Sequence, residues 1–161
     1  KAAAGTSFRK VRDFIFDLRP MMLDDLGLAP TVHRYVEAFQ EKSGIDTHLN
    51  VVGEERRRME NHTEVLMFRG IQEVLGYARD MCGSTRIDMV LEISSSPIKA
   101  NISFNGKNMD EVEAAAVESG NKLAGLGQLK ERMSLVGGEL DMSGSDTDVN
   151  RVDIGLPTAL V

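Results

Sequence analysis

Cysteine is nearly absent from this 161-residue chain, where Cys82 stands alone. A single thiol excludes an internal disulfide framework and fits a reducing compartment. Its place at the end of an apolar helical pattern marks a buried structural thiol rather than a nucleophile. A signal peptide and any apolar run of membrane length are also missing. Positive charge is not in excess either: 19 Lys and Arg stand against 25 Asp and Glu, a net charge of -6. That argues against nucleic acid as a partner, which would call for a basic face. The one basic run, Arg56-Arg57-Arg58, follows Glu54-Glu55 and reads as a solvated turn. No segment repeats. No initiator Met is present and the chain opens inside a helical pattern, so it is expected to be part of a longer protein. What is present is ordinary for one compact domain with a short appendage, 42% hydrophobic and 27% charged.

Hydrophobic periodicity divides the chain. Val11, Ile15, Leu18 and Met22 share one helical face, with Phe8 and Phe14 beside it. This helix needs an apolar partner, and Pro20 ends or kinks it. Gly27 and Pro30 mark the next junction. Val32, Tyr35, Val36 and Phe39 then form a stripe that stops near Ser43-Gly44. Residues 45–52 alternate roughly, as a strand does. Asn61 and Glu64 resemble a capping box. The helix after them carries Leu66, Ile71, Val74, Leu75 and Ala78, and ends near Cys82-Gly83.

Ile87, Met89, Leu91 and Ile93 alternate strictly, as do Ile98, Ala100, Ile102 and Phe104. With the Ser94–Pro97 turn between them, they are expected to form an antiparallel hairpin. Residues 110–121 are acidic and weakly patterned, and read as a mobile loop or marginal helix. Leu126, Leu129, Met133 and Val136 mark another helix, stopped by Gly137-Gly138. Residues 140–143 and 149–156 read as a closing strand pair. The order favours an α+β chain: a two-layer α/β sandwich with helices on one face of a mixed sheet.

The segment Asp17-Leu18-Arg19-Pro20, continued by Leu23-Asp24-Asp25-Leu26-Gly27-Leu28, resembles the connector between dimerisation helices and catalytic domain in sensor histidine kinases of the nitrate-sensor and DegS-like group. The resemblance runs from about Phe8 to Pro157. It implies a Bergerat-type fold of the GHKL class, with a mixed, mostly antiparallel sheet. It also implies two parts: residues 1–22, the end of a dimerisation helix, and residues 23–161, an ATP-binding domain.

Three family motifs can be placed. The N-box on the long helix keeps Phe68, Arg69, Gln72 and Glu73. The family's Mg²⁺-holding Asn falls on Tyr77, a poor ligand for a hard cation, and its His falls on Met81. The D-N-G-x-G motif falls on Phe104-Asn105-Gly106-Lys107-Asn108. Phe104 cannot accept a bond from the adenine amino group; it either completes the core alternation or offers a stacking surface. Asn108 replaces a glycine. The glycine-rich lid falls on Leu123 to Arg132, where Gly125 remains, Gly127 is additional, and Leu123 and Gln128 replace glycines. Glycines before a helix can cradle phosphate. The family's late Gly-Thr pair falls near Val149-Asn150.

The resemblance therefore implies nucleotide positions at Glu73, Tyr77, Phe104, Asn105, Gly106, Gly125, Gly127 and Lys130, with ATP and Mg²⁺ as the family's ligands. Glu73 is the one candidate catalytic residue. His33, His48 and His62 do not qualify as phosphoacceptors, and the family's reactive His would lie upstream. Implied partners are a second copy or another kinase through the N-terminal helix, a response regulator, and an upstream sensor domain. A cytoplasmic location follows from the same resemblance. Two readings stand. One is a module degenerate in ATP binding that relays signals by conformation and protein contacts. The other is an active kinase domain in which Glu73 orients water or metal, Asn105 assists the metal, and phosphoryl transfer goes to that upstream His. An anti-sigma kinase or a chaperone ATPase is disfavoured by the connector.

Overall fold

The computed structural model describes residues 21–120, 125–144 and 149–158. The amphipathic stripe from Phe8 to Leu18, and Leu123 of the lid motif, lie outside the described residues. The elements run in the order α1 (Met21–Leu26), α2 (Leu28–Ser43), β1 (Asp46–Val52), α3 (Asn61–Asp80), β2 (Arg86–Glu92), β3 (Ile98–Phe104), α4 (Met109–Ser119), α5 (Gly127–Leu135), β4 (Glu139–Gly144) and β5 (Asn150–Leu156).

The five strands form one sheet in the order β1-β2-β3-β5-β4. Strands β1 and β2 pair in parallel, and the long helix α3 makes the crossover that such a pair requires. The remaining pairs are antiparallel, with Ile87 opposite Phe104 and Ala100 opposite Ile154. Strict alternation explains which face is dry. Ile87, Met89, Leu91, Ile98, Ala100, Ile102, Phe104, Val152 and Ile154 all turn inward and are buried. Above them lie Met67, Phe68, Ile71, Val74, Leu75 and Ala78 of α3, flanked by Val32, Val36 and Phe39 of α2 and by Leu129 and Met133 of α5. Contact between α3 and α5 is close enough that a Cβ on Gly70 would sit 2.7 Å from the Met133 terminal methyl. The two-layer α+β sandwich expected from the sequence is the fold found.

Of the loop or marginal helix expected after Asn108, the helix is found: α4 runs for 11 residues, because Asn108 caps it with its side chain and Gly120 ends it in left-handed backbone. Three expectations need correction. Helix α3 has no Asn61 capping box. Glu60 holds the cap position but its side chain makes no capping bond to the helix amides, and Glu64 is wholly buried, accepting from the Met59 amide. Nor are all three arginines of the basic run merely solvated. Arg57 donates to the Ile93 carbonyl, and Arg58 binds Glu64 through two nitrogens. Finally, Val136 lies past the end of α5 and is 46% exposed, since the apolar stripe closes at Met133.

Candidate functional site

Helix α3 faces the start of α5 across an open cleft of about 360 Å³, lined in part by Glu73, Gly76, Tyr77, Asp80, Gly125 and Arg132. The fold thus brings together the segments on which the resemblance placed the N-box and the lid. Tyr77 lies one turn after Glu73 on α3 and points back into the protein. It is 5% exposed. Its ring meets that of Phe104 edge to face, with centroids 6.4 Å apart at 79°. Its hydroxyl donates to Glu113 of α4 at 3.0 Å. Burial first, and the Glu113 charge second, hold the phenol well above its ordinary range. Tyr77 is therefore a neutral donor, with its one proton committed to a carboxylate.

Phe104 is 2% exposed and completes the inward alternation of β3. Asn105 is occupied by the backbone beside it. Its Oδ1 accepts from the Thr85 and Arg86 amides at 2.8 and 3.0 Å, and its Nδ2 donates to the Thr85 hydroxyl. Gly106 has φ +108, and a Cβ there would meet the Cys82 carbonyl at 2.3 Å, so glycine is required by close packing against the end of α3. Asn108 caps α4, accepting from the Asp110 and Glu111 amides.

On the other wall, Glu113 accepts from the Leu126 amide at 3.1 and 3.3 Å. A Cβ on Gly125 would lie 2.4 Å from a Glu113 carboxylate oxygen. Glu73 and Arg132 form an ion pair at 2.5 Å, and Asp80 is paired with Arg79 at 2.8 Å. The lining thus holds two carboxylates, Glu73 and Asp80, and the Arg132 guanidinium, which Glu73 already engages. Gly127 has open space around its Cβ position, and Lys130 is exposed on α5. Met81 also lines the cleft, while Asn150 lies away from it, binding the Met109 amide and the Lys107 carbonyl. Cys82 sits behind Tyr77, 1% exposed, and burial pushes its thiol up to about 11. Glu113 escaped the sequence reading because it lies in a segment with no periodic stripe.

The three histidines lie outside this cleft. His33 contacts Glu55 at 2.6 Å, His48 contacts Asp46 at 2.8 Å, and His62 approaches Glu60 at 3.5 Å. Among the described residues no group of three or more His, Cys, Asp or Glu is placed to hold a metal. No described helix is long and apolar enough to cross a membrane.

The five-stranded mixed sheet with its helices on one side is the fold of histidine kinase ATP-binding domains. It superposes on the histidine kinase domain of the blue-light activated kinase EL346 of Erythrobacter litoralis with a TM-score of 0.63, at 17% identity, over 85% of this chain and 68% of that one. The ATP binding domain of PrrB from Mycobacterium tuberculosis gives 0.56, at 18% identity, over 79% and 90%. No protein-family model matches the chain. Among curated proteins, the signal transduction histidine-protein kinase/phosphatase DegS of Brevibacillus brevis is 34% identical over 152 residues, 94% of this chain and 38% of that protein. DegS of Bacillus subtilis is 39% identical over 124 residues, and the oxygen sensor histidine kinase NreB of Staphylococcus carnosus 29% over 145. The chain belongs to the sensor histidine kinase family, of the DegS and NreB type, and spans 38% and 32% of the length of the two DegS relatives.

Proposed function

We propose that this chain is a catalytic-domain-like module of a two-component sensor kinase that no longer holds Mg-ATP in the family's manner, and that it relays signals by conformation and protein contact. The observation that carries this reading is the Tyr77–Phe104–Glu113 cluster. A bound triphosphate with Mg²⁺ needs an oxygen ligand on α3, an acceptor for the adenine amino group, and unspent donors around the phosphates. Tyr77 offers a phenol whose proton is given to Glu113, and Phe104 offers a ring edge packed on Tyr77. Two donors of the cleft are already engaged: the Leu126 N–H by Glu113, and one Arg132 nitrogen by Glu73. The residues present do not fit Mg-ATP.

The partners that go with this reading are a second copy or another kinase, paired through the N-terminal segment before Met21, together with a response regulator and a sensor domain upstream. A cytoplasmic setting for this part of the protein goes with them. Calorimetric titration of the chain with Mg-ATP and Mg-ADP, supported by thermal shift, tests the reading. A ligand that binds only the folded state must raise its stability. The expected result is neither heat nor shift at millimolar nucleotide. Micromolar binding would overturn the proposal and put the active kinase in its place, with Glu73, Asn105 and the glycines as its working residues.

A further inference from the structure

Glu113 makes contacts that no motif of the family called for. Its carboxylate joins three elements. It is carried on α4, accepts from the Tyr77 hydroxyl on α3, and accepts from the Leu126 amide at the start of α5. Helix α4 is held in place by other bonds. Asn108 caps it, the Met109 amide donates to Asn150 at 2.8 Å, and Asp110 accepts from the Gly144 amide at 3.2 Å. Glu113 is thus presented from a fixed base. The start of a helix attracts an anion, because its first amides have no partner within the helix. Gly125 leaves the room this contact needs. The three nearest atoms to the position of a Cβ at residue 125 all belong to the Glu113 carboxyl group, the nearest at 2.4 Å. Its backbone is not left-handed, so a methyl group there would be resisted only by this carboxylate, the far end of a flexible side chain, and would push it aside.

We propose that Glu113 is a built-in anion that occupies the start of α5 and clasps it to α3 and α4 in the absence of any nucleotide. The inference rests on the reading above, because a nucleotide phosphate reaching the same amide would have to displace this carboxylate. It adds a regulatory consequence. The position of α5 in this protein is set by an internal contact, so what changes it is a partner or a strain that pulls Glu113 away, rather than the arrival or hydrolysis of ATP. Tyr77 supports the clasp from the far side. As a neutral phenol it donates to the carboxylate throughout the neutral range, and a charged Glu113 accepts both bonds at once.

Amide hydrogen exchange followed by NMR on the ¹⁵N-labelled 161-residue chain tests the clasp. Leu126 is compared in the native chain, Glu113→Ala, Gly125→Ala and Tyr77→Phe, with the amides of β2 and β3 reporting that the fold is intact. In Glu113→Ala, exchange at Leu126 is expected to rise at least tenfold while β2 and β3 stay protected. Gly125→Ala, which puts a methyl group in the carboxylate's place while Glu113 remains, is expected to do the same, and Tyr77→Phe to give a smaller rise. If Glu113→Ala fails to fold, Gly125→Ala decides. Unchanged Leu126 exchange in the folded variants overturns the clasp, even if nucleotide still fails to bind. Conversely, micromolar Mg-ATP binding by the native chain together with faster exchange in the variants would overturn the nucleotide reading and leave the clasp standing.

Discussion

Tyr77 and Cys82 hold their protons against rising pH, and this makes the fold less stable in alkali. The folded thiol of Cys82 is pushed up to about 11 from an ordinary 9.0, chiefly by burial and then by the Glu113 charge. Tyr77 moves in the same direction, for burial first and Glu113 second. In the unfolded chain both groups ionise at their ordinary values, so above pH 9 the unfolded state loses protons that the folded state keeps. The stabilisation is complete below pH 9 and is lost as pH rises toward 11 and beyond. Thermal unfolding from pH 7 to 11 should show a Tm that falls above pH 9, and Cys82→Ala with Tyr77→Phe should flatten that fall. An equal slope in the double variant would refute the assignment. At this scale half of the site was legible. Phe104 belongs to a strict alternation, so its burial could be read from spacing. Tyr77 could be placed on α3, but its partner lies 36 residues away. Pairing at that distance depends on tertiary packing, which one sequence does not display.

Among the elements, α4 shows why pattern reading fails where burial is slight. It buries only Met109 and Ala116, so its apolar stripe is too thin to register as a period. The punctuation was available in Asn108 before it and Gly120 after it, which form the two caps. Strands β2 and β3 were legible for the opposite reason, since each second residue is buried against α3. Asn108, which the resemblance set against a glycine, does local work: its Oδ1 satisfies two amides at the start of α4. Losing such a cap costs about 1 kcal/mol. Asn108→Ala should therefore lower Tm by roughly 2–4 °C for a domain of this size. Asn108→Asp should keep most of the stability, because a carboxylate oxygen caps as well and suits the helix start. If Ala and Asp lower Tm equally in thermal denaturation, Asn108 acts through something other than the cap.

Across the whole molecule, Arg58 ties the family connector to the body. Glu64 on α3 is fully buried, while the Arg58 side chain is 45% exposed. The carboxylate takes Arg58 Nε and Nη2, each at 3.1 Å, and the Met59 amide at 3.2 Å. The same Nη2 reaches the Leu23 and Asp24 carbonyls at 3.3 and 3.2 Å, at the end of α1. Gly27 has φ +90, and a Cβ there would press on Arg58 Cδ at 2.7 Å, so the arginine lies along the junction between α1 and α2. Leu23 is buried in the same core as α3, and the connector is therefore packed as well as bonded. Whatever moves α1 has to carry α3 with it or break this ion pair. Removing Arg58 leaves Glu64 as a buried charge without its counterion, which costs about 3–5 kcal/mol when both partners are dry. Water reaches the exposed arginine site, so Arg58→Ala should cost less, about 2–3 kcal/mol. Arg58→Ala combined with Glu64→Gln should recover part of that loss, because the buried group is then neutral. Urea denaturation of the two single variants and the double variant measures the coupling. Amide exchange in α1 should rise in Arg58→Ala before the sheet loses protection. A coupling near zero, or α1 amides that exchange no faster, would mean that the connector is held by apolar packing alone and that Arg58 transmits nothing between α1 and α3.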